Sequence, residues 1–333
     1  MIDIKPQDDW AVDLPTKRIG RPYNMKLGLK IIRNNILGPS DKYTNLTMFI
    51  PQSIQVNAID KKLKIGFTGD LMPMLKRKLE LTSEVKDFFS DVDYLVTNFE
   101  GSLLPGKKVA FAQVHSSEIL KKLEDIIPAD RIILSVANNH TADFGYNKFL
   151  ETLRILKDKG FLVIGKRDDA SIKLDHNIRI TACTEWSNQA FDFLSTLTNV
   201  DQHYDDNANM NILYPHWGHE LCLYPSPEQI QNTRTLLKKW DVIAGHHPHT
   251  PSPVTVYRDN DINKIVAYSL GDFCSGMNIY KYLHGMIMKM DVGPGKTGEW
   301  FTGKVEWKFT FNNHMDERLT KLEVKDNCPY FKI

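Results

Sequence analysis

The feature that most constrains this chain is a recurrence: five short apolar runs each stop at a residue able to carry chemistry. KLKIGFTGD (62–70) ends on Asp70, and DYLVTNFEG (93–101) reaches Asn98 and Glu100. RIILSVANNH (131–140) closes on Asn138, Asn139 and His140, and MNILYPHWG (210–218) on His216 and Trp217. DVIAGHHPH (241–249) brings three histidines, His246, His247 and His249. Runs of this length, bounded by Gly, Pro and Asn, read as strands. Between them the apolar period changes: in GYNKFLETLRILKDKG, Phe149, Leu153 and Leu156 fall at helical intervals and Gly160 supplies a C-terminal stop. Helices are predicted around 25–36, 75–89, 117–126 and 227–240. SPVTVY, KIVAYSLGD and HGMIMKMDV follow as strands without long helices between them. Strand–helix alternation followed by strand pairs predicts an α/β sandwich of mixed sheets. In such folds chemistry gathers beyond the carboxyl ends of strands, where these polar residues fall.

Residues 1–60 differ from the rest, with scattered prolines (Pro6, Pro15, Pro22, Pro39, Pro51) and only short apolar clusters. They are expected to form an N-terminal extension packed on a main domain spanning 61–333. Lys plus Arg number 42 against 41 Asp plus Glu, so no global field argues for nucleic acid as a partner. The four cysteines (Cys183, Cys222, Cys274, Cys328) lie far apart without a C-x-x-C pair, which reads as reduced thiols. No apolar run approaches the ~18 residues of a membrane span, and the N-terminus has no apolar leader. A cytoplasmic location without a membrane span is therefore expected.

Each polar residue alone has an ordinary explanation. Asp70 after a strand suits a helix N-cap, Asn139 a turn, and His216 a buried, hydrogen-bonded imidazole. GHHPHTP does not, because three imidazoles within four residues are costly to pack without a partner. Imidazole nitrogens together with carboxylate oxygens suit Mn, Zn or Fe, and an acid able to bridge allows two ions to share one site. His140 followed by Asp143 offers an imidazole oriented by a carboxylate; Asp143 equally suits a cap before Gly145. Asn98, Asn138, Trp217 and Glu220 flank the set as candidate substrate contacts.

In this order, GDLM (69–72), NFEGSL (98–103), ANNHTADFG (137–145), HWGHE (216–220), GHHPH (245–249) and YSLGDF (268–273) resemble the CapA family. That family is the capsule (poly-γ-glutamate) synthesis-associated branch of the calcineurin-like metallophosphoesterases. The resemblance runs from about residue 62 to residue 273. It implies a four-layer αββα sandwich of mixed sheets, the calcineurin-like metallophosphoesterase fold, with two divalent ions at the strand ends. Asp70, Glu100 and His249 would hold one ion. Glu100 would bridge to a second, held also by Asn139, His216 and His247. His140 would stand where the superfamily keeps its general acid, and His246 would be a neighbour. Two departures stand out. Met72 occupies the place of a histidine two residues after the first aspartate, and Glu100 stands for an aspartate. A thioether is a poor ligand for such cations.

These residues lead to the expectation of a metal-dependent hydrolase. A metal-activated water would attack a phosphoester or a γ-glutamyl amide in a small or polymeric anionic substrate. The alternative is a non-catalytic binding or assembly component of capsule-polymer biosynthesis or export.

Overall fold

The computed structural model describes residues 25–105, 112–189, 192–259 and 262–331. Five helices occur among them: α1 (Met25–Leu37), α2 (Ser83–Phe89), α3 (Glu118–Glu124), α4 (Tyr146–Asp158) and α5 (Pro227–Leu236). The larger sheet holds β1 (Ser53–Gln55), β2 (Leu63–Leu71), β3 (Lys78–Leu81), β4 (Tyr94–Phe99), β5 (Ile132–Ser135) and β6 (Leu162–Ile164). It is completed by β13 (Asp272–Cys274), β14 (His284–Pro294), β15 (Trp300–His314) and β16 (Leu319–Lys325). The smaller sheet holds β7 (Ser171–Lys173), β8 (Ile178–Thr184), β9 (Met210–His216), β10 (Val242–Ala244), β11 (Val254–Asp259) and β12 (Ile262–Ala267).

Three apolar layers separate four structural ones. Between the sheets, Phe67, Met288 and Trp307 of the larger pack on Ile180, Ile212 and Ala244 of the smaller. Outside the larger sheet, Val85 and Phe89 of α2, Leu120 and Leu123 of α3, and Phe149, Leu153 and Leu156 of α4 meet Leu95, Leu134 and Val163. Outside the smaller sheet, Leu213, Ile243 and Val266 meet Trp217, Leu237 and Trp240, with Ile230 and Leu236 of α5 packed against them. Each fully buried aliphatic or aromatic side chain contributes about 1.5–3 kcal/mol to this assembly. The result is the four-layer αββα sandwich of mixed sheets.

The pairing pattern positions the site. β2, β4, β5 and β6 run parallel, and so do β8, β9, β10 and β12. Parallel strands bring their carboxyl ends to one edge, so Asp70, Glu100 and Asn139 converge there with His216 and the 245–249 loop. A buried hydrogen bond from Tyr214 Oη to the Thr68 carbonyl, 2.6 Å, ties the two sheets just below that edge.

The stretch predicted as helix from 75 to 89 divides in two. Lys78–Leu81 is a strand, with exposed and buried residues alternating, and α2 begins only at Ser83. β3 pairs parallel with β16, a partner far downstream that local periodicity cannot display. Asn98 lies inside β4 and not past its end, because its register partners Asp70 and Ser135 prolong the sheet. Of the expected 1–60 extension, residues 1–24 lie outside the described residues; beyond them, β1 pairs antiparallel with β15, and buried Asn34 of α1 donates to the Leu221 carbonyl. All four cysteines are buried and free. No helix among the described residues is long and apolar enough to cross a membrane.

Candidate metal centre

Asp70 is the hub of the strand-end cluster and is fully buried. Its Oδ1 accepts from Asn98 Nδ2 at 2.7 Å and lies 2.9 Å from His246 Nδ1, while Oδ2 accepts from the His247 backbone N–H at 2.9 Å. Burial pushes its carboxyl up, but the electrostatic interaction with His246 and the hydrogen bonds with His216 and His246 outweigh that and hold it well below the usual carboxylate range. The preceding Gly69 is required sterically, because β13 passes against it: a Cβ there would lie 1.8 Å from the Gly271 carbonyl oxygen.

Glu100, one residue past β4, is also fully buried, yet neither carboxylate oxygen has a hydrogen-bond partner. Its Oε1 lies 3.8 Å from His249 Nε2 and 3.9 Å from His140 Nε2. Burial, reinforced by the Asp70 charge, pushes its carboxyl well above the normal range. A buried carboxylate without hydrogen bonds costs several kcal/mol, so this group requires a proton or a cation.

Asn139 Oδ1 lies 2.9 Å from His216 Nε2, and His216 Nδ1 lies 2.9 Å from His246 Nδ1. His247 packs edge-on against Trp186, with its ring centroid 4.4 Å from that of His216. Burial holds His216 down at about 3 and His247 well below the usual histidine range, so both imidazoles are neutral and available as donors. His247 and His249 adopt left-handed backbone, with φ of 101° and 56°, on either side of Pro248. Such conformations cost about 1–3 kcal/mol for a non-glycine residue and aim both rings into the cluster.

His249 reaches the opposite side. Its Nδ1 lies 2.8 Å from Asp272 Oδ1 and 3.6 Å from Asp70 Oδ2. Burial would lower its pKa, but the negative charges of Asp272 and Glu100 reverse that and raise it well above the usual value. Burial raises the Asp272 carboxyl to about 7, against the pull of His249. Met72 is buried, and its backbone N–H donates to the Cys274 carbonyl at 2.9 Å.

His140 sits at the rim. At 8% exposure it is the most accessible of these groups, whereas Asp70, Glu100, His216 and His247 are at 0%. Its Nδ1 lies 2.7 Å from Asp143 Oδ2, which also accepts from the Gln113 backbone N–H at 3.0 Å. Its Nε2 lies 3.4 Å from Asn188 Nδ2.

The structure thus brings Asp70, Glu100, Asn139, His140, Asp143, His216, His247 and His249 into one cluster. The four flanking residues stand differently. Asn98 and Asn138 are fully buried and consumed by the scaffold: Asn98 donates to Asp70, and Asn138 donates to Asn98 Oδ1 and the Phe99 carbonyl while accepting from the His140 N–H. Trp217 is buried beneath the smaller sheet, its indole N–H donating to the Tyr268 carbonyl at 3.0 Å. Glu220 is half-buried, and its charge acts on Asp272 and Tyr282. Sequence reasoning passed over Asp272 and Asn188. The first had a visible signal, since KIVAYSLGD repeats the strand-then-Gly-Asp pattern of KIGFTGD; Asn188, on a loop, had none.

The residues present fit a divalent cation. Asp70, His216 and His246 bring ligand atoms within 4.8 Å of one another, and so do Asp70, His249 and Asp272. The expected ligands among them are Asp70, His216 and His249, with His246 and Asp272 packed against those donors. Among the described residues no lysine or arginine pairs with Asp70, Glu100 or Asp272, which leaves imidazoles alone to offset three buried carboxyls. The nitrogen and oxygen donor set, without thiolate, suits Mn, Zn or Fe.

Residues 64–190 and 194–277 match the model of the family described as bacterial capsule synthesis protein PGA_cap. The PGA biosynthesis protein CapA of Bacillus subtilis (strain 168) is 26% identical over 254 residues, covering 64% of this chain and 63% of that protein. The capsule biosynthesis protein CapA of Bacillus anthracis is 24% identical over 251 residues, covering 64% and 60%. The chain therefore spans less than two thirds of the length of either relative. Among solved structures, the calcineurin-like phosphoesterase YfkN from Bacillus subtilis overlays with a TM-score of 0.36 at 12% identity, covering 74% of this chain and 90% of that one. With more than half of its length matched, the motif-bearing strand ends included, this chain belongs to the bacterial capsule synthesis protein family PGA_cap.

Proposed function

We propose that this chain is a metal-dependent hydrolase acting on a phosphoester or a γ-glutamyl amide of an anionic substrate, within capsule or poly-γ-glutamate metabolism. The observation that carries the reading is Glu100, a buried carboxylate with both oxygens unpartnered, facing His249 and His140. Asp70, Glu100 and His249 would hold one ion, and Asn139, His216, His247 and the shared Glu100 a second. When bound, divalent ions of this kind polarise a scissile oxygen and lower the pKa of water toward neutrality.

The chain's own residues supply the remaining chemistry. Asp143 accepts the Nδ1 proton of His140 and fixes the ring so that Nε2 is the nitrogen turned to the cluster. From the rim, a protonated Nε2 delivers its proton to the departing oxygen or nitrogen. Asn98 and the His247 N–H hold the Asp70 carboxylate in one orientation. An oriented His–Asp pair at the mouth of a buried donor cluster is what a catalyst requires and a binding module does not, which favours the hydrolase over an assembly component.

The test is turnover of aryl phosphodiesters and of γ-glutamyl peptides by protein loaded with Mn, Zn or Fe, alongside elemental analysis. Activity on one class, dependent on metal, is expected. Absence of bound metal and of turnover on both classes with every ion refutes the reading.

A further inference from the structure

We infer that Asp272 is a positioning residue for the first metal position. It fixes His249 so that Nε2 is the nitrogen offered to the ion, and its charge strengthens that nitrogen as a donor. The inference rests on the metal-centre reading above.

Three observations carry it. First, the two edges of the His249 ring have different partners. Nδ1 lies 2.8 Å from Asp272 Oδ1, the length of a charge-assisted hydrogen bond, so this nitrogen keeps its proton and donates it. Nε2 is then the nitrogen left to give a lone pair when an ion displaces its proton, and it faces Glu100 Oε1 at 3.8 Å. Two donors each about 2.1 Å from one ion are separated by roughly 3–4 Å. Second, the backbone sets the position of Asp272. β13 pairs parallel with β2 so that Asp272 is the register partner of Asp70, locked by the 2.8 Å hydrogen bond from the Asp70 N–H to the Gly271 carbonyl. Third, Asp272 is fully buried, and its other oxygen, Oδ2, has no partner. A buried carboxylate held by a single imidazole makes that imidazole a stronger base at its far nitrogen.

The consequence bears on Met72. Where the wider superfamily provides a histidine, this chain has a buried thioether, so the first ion depends more heavily on the remaining donors. Asp272 compensates through His249 without ligating: a carboxylate at the Nδ1 edge lies across the ring from Nε2 and cannot reach an ion bound there. Positioning and direct ligation are therefore exclusive.

The test uses the full chain stripped of metal and titrated with zinc against a chromophoric chelator, for wild type, Asp272→Asn and Asp272→Ala. Asp272→Ala is expected to weaken one zinc affinity about 10–100-fold. Asp272→Asn keeps an acceptor for Nδ1 but loses the charge, and is expected to fall between. In 15N-histidine-labelled, zinc-loaded wild type, His249 is expected to keep its proton on Nδ1. Unchanged affinities in Asp272→Ala, a zinc-bound Nδ1, or Asp272 oxygen within about 2.2 Å of the ion in a zinc-loaded crystal would each overturn the inference. If Asp272→Ala fails to fold by circular dichroism, the wild-type tautomer and crystal decide. Failure of wild type to bind zinc at all defeats the metal-centre reading itself, and is thereby distinguished from failure of this inference alone.

Discussion

Gly69→Ala should cost about 3–5 kcal/mol of stability and dismantle the metal centre, although it adds only a methyl group. The added Cβ would lie 1.8 Å from the Gly271 carbonyl oxygen, 2.8 Å from the Gly271 carbonyl carbon and 2.9 Å from that of Leu270. All three atoms are backbone, so no rotamer change relieves the clash. Reaching even 3.0 Å, below which real Cβ contacts essentially never fall, requires β2 and β13 to part by about 1.2 Å. That separation breaks the hydrogen bonds from the Asp70 N–H to the Gly271 carbonyl and from the Met72 N–H to the Cys274 carbonyl. Each bond lost with a buried partner left unpaired costs about 1–3 kcal/mol, so the two together cost about 2–6 kcal/mol, a span whose middle is the range above. This is a large share of the ~5–15 kcal/mol by which a folded protein of this kind is stable. The same displacement draws Asp70 from His246 and the His247 N–H. Urea unfolding followed by circular dichroism should show a midpoint about 1–2 M lower, with zinc binding lost from the protein that remains folded. Gly298→Ala is the control: its φ is +89° but nothing lies within 4 Å, so only a backbone cost of about 1 kcal/mol applies. Gly69→Ala within ~0.5 kcal/mol of wild type, with metal binding intact, would refute the steric argument.

Other predictions follow from the same contacts. His140→Asn should retain bound metal and lose turnover by about 10²–10⁴-fold; equal loss of metal would show that His140 is a ligand and not a proton donor. Zinc at 100 times its dissociation constant should stabilise the protein by about 2.7 kcal/mol, read as a rise in melting temperature that a chelator reverses. Tyr214→Phe removes the Oη–H that donates to the buried Thr68 carbonyl and should cost about 1–3 kcal/mol by thermal unfolding without changing metal stoichiometry. Asp91 gives a pH prediction. Burial raises its carboxyl, but hydrogen bonds and charge from Lys64 and Lys289 prevail and depress it to about 2, below the ~3.9 of an unfolded chain. A depressed folded value means the stabilisation is present above about pH 4 and is lost as pH falls toward 2. Asp91 is about half exposed, and solvent screening limits the effect to at most about 1 kcal/mol. Asp91→Asn should thus be less stable than wild type at pH 6 and indistinguishable from it near pH 2. A difference that persists at pH 2 would contradict the assignment.

Much of this architecture was legible because its signals are local. A strand of apolar residues ending in Gly-Asp or Asn-Asn-His shows itself in ten residues, and α4 shows itself through Phe149, Leu153 and Leu156. Partners that lie far apart in the chain did not show. Lys78–Leu81 read as part of a helix because its strand partner, β16, is more than two hundred residues away. Asn98 and Asn138 read as substrate contacts because both stand at strand ends among reactive groups. In the folded protein their amides are spent on Asp70, Phe99 and each other. Trp217 follows His216 directly, yet alternation along an extended chain turns neighbouring side chains to opposite faces. His216 points into the cluster and Trp217 into the layer under α5.

The residues thus determined by themselves which strand ends carry chemistry and what kind of donors they offer. They did so because residue type and the end of an apolar run are properties of a few consecutive positions. Only the tertiary structure decided which of those donors meet. Parallel register set Asp272 beside Asp70, left Glu100 buried without a hydrogen-bond partner, and placed His140 at the rim with Asp143 behind it. Distances across two sheets depend on strand order and register, and neither is written in any single segment.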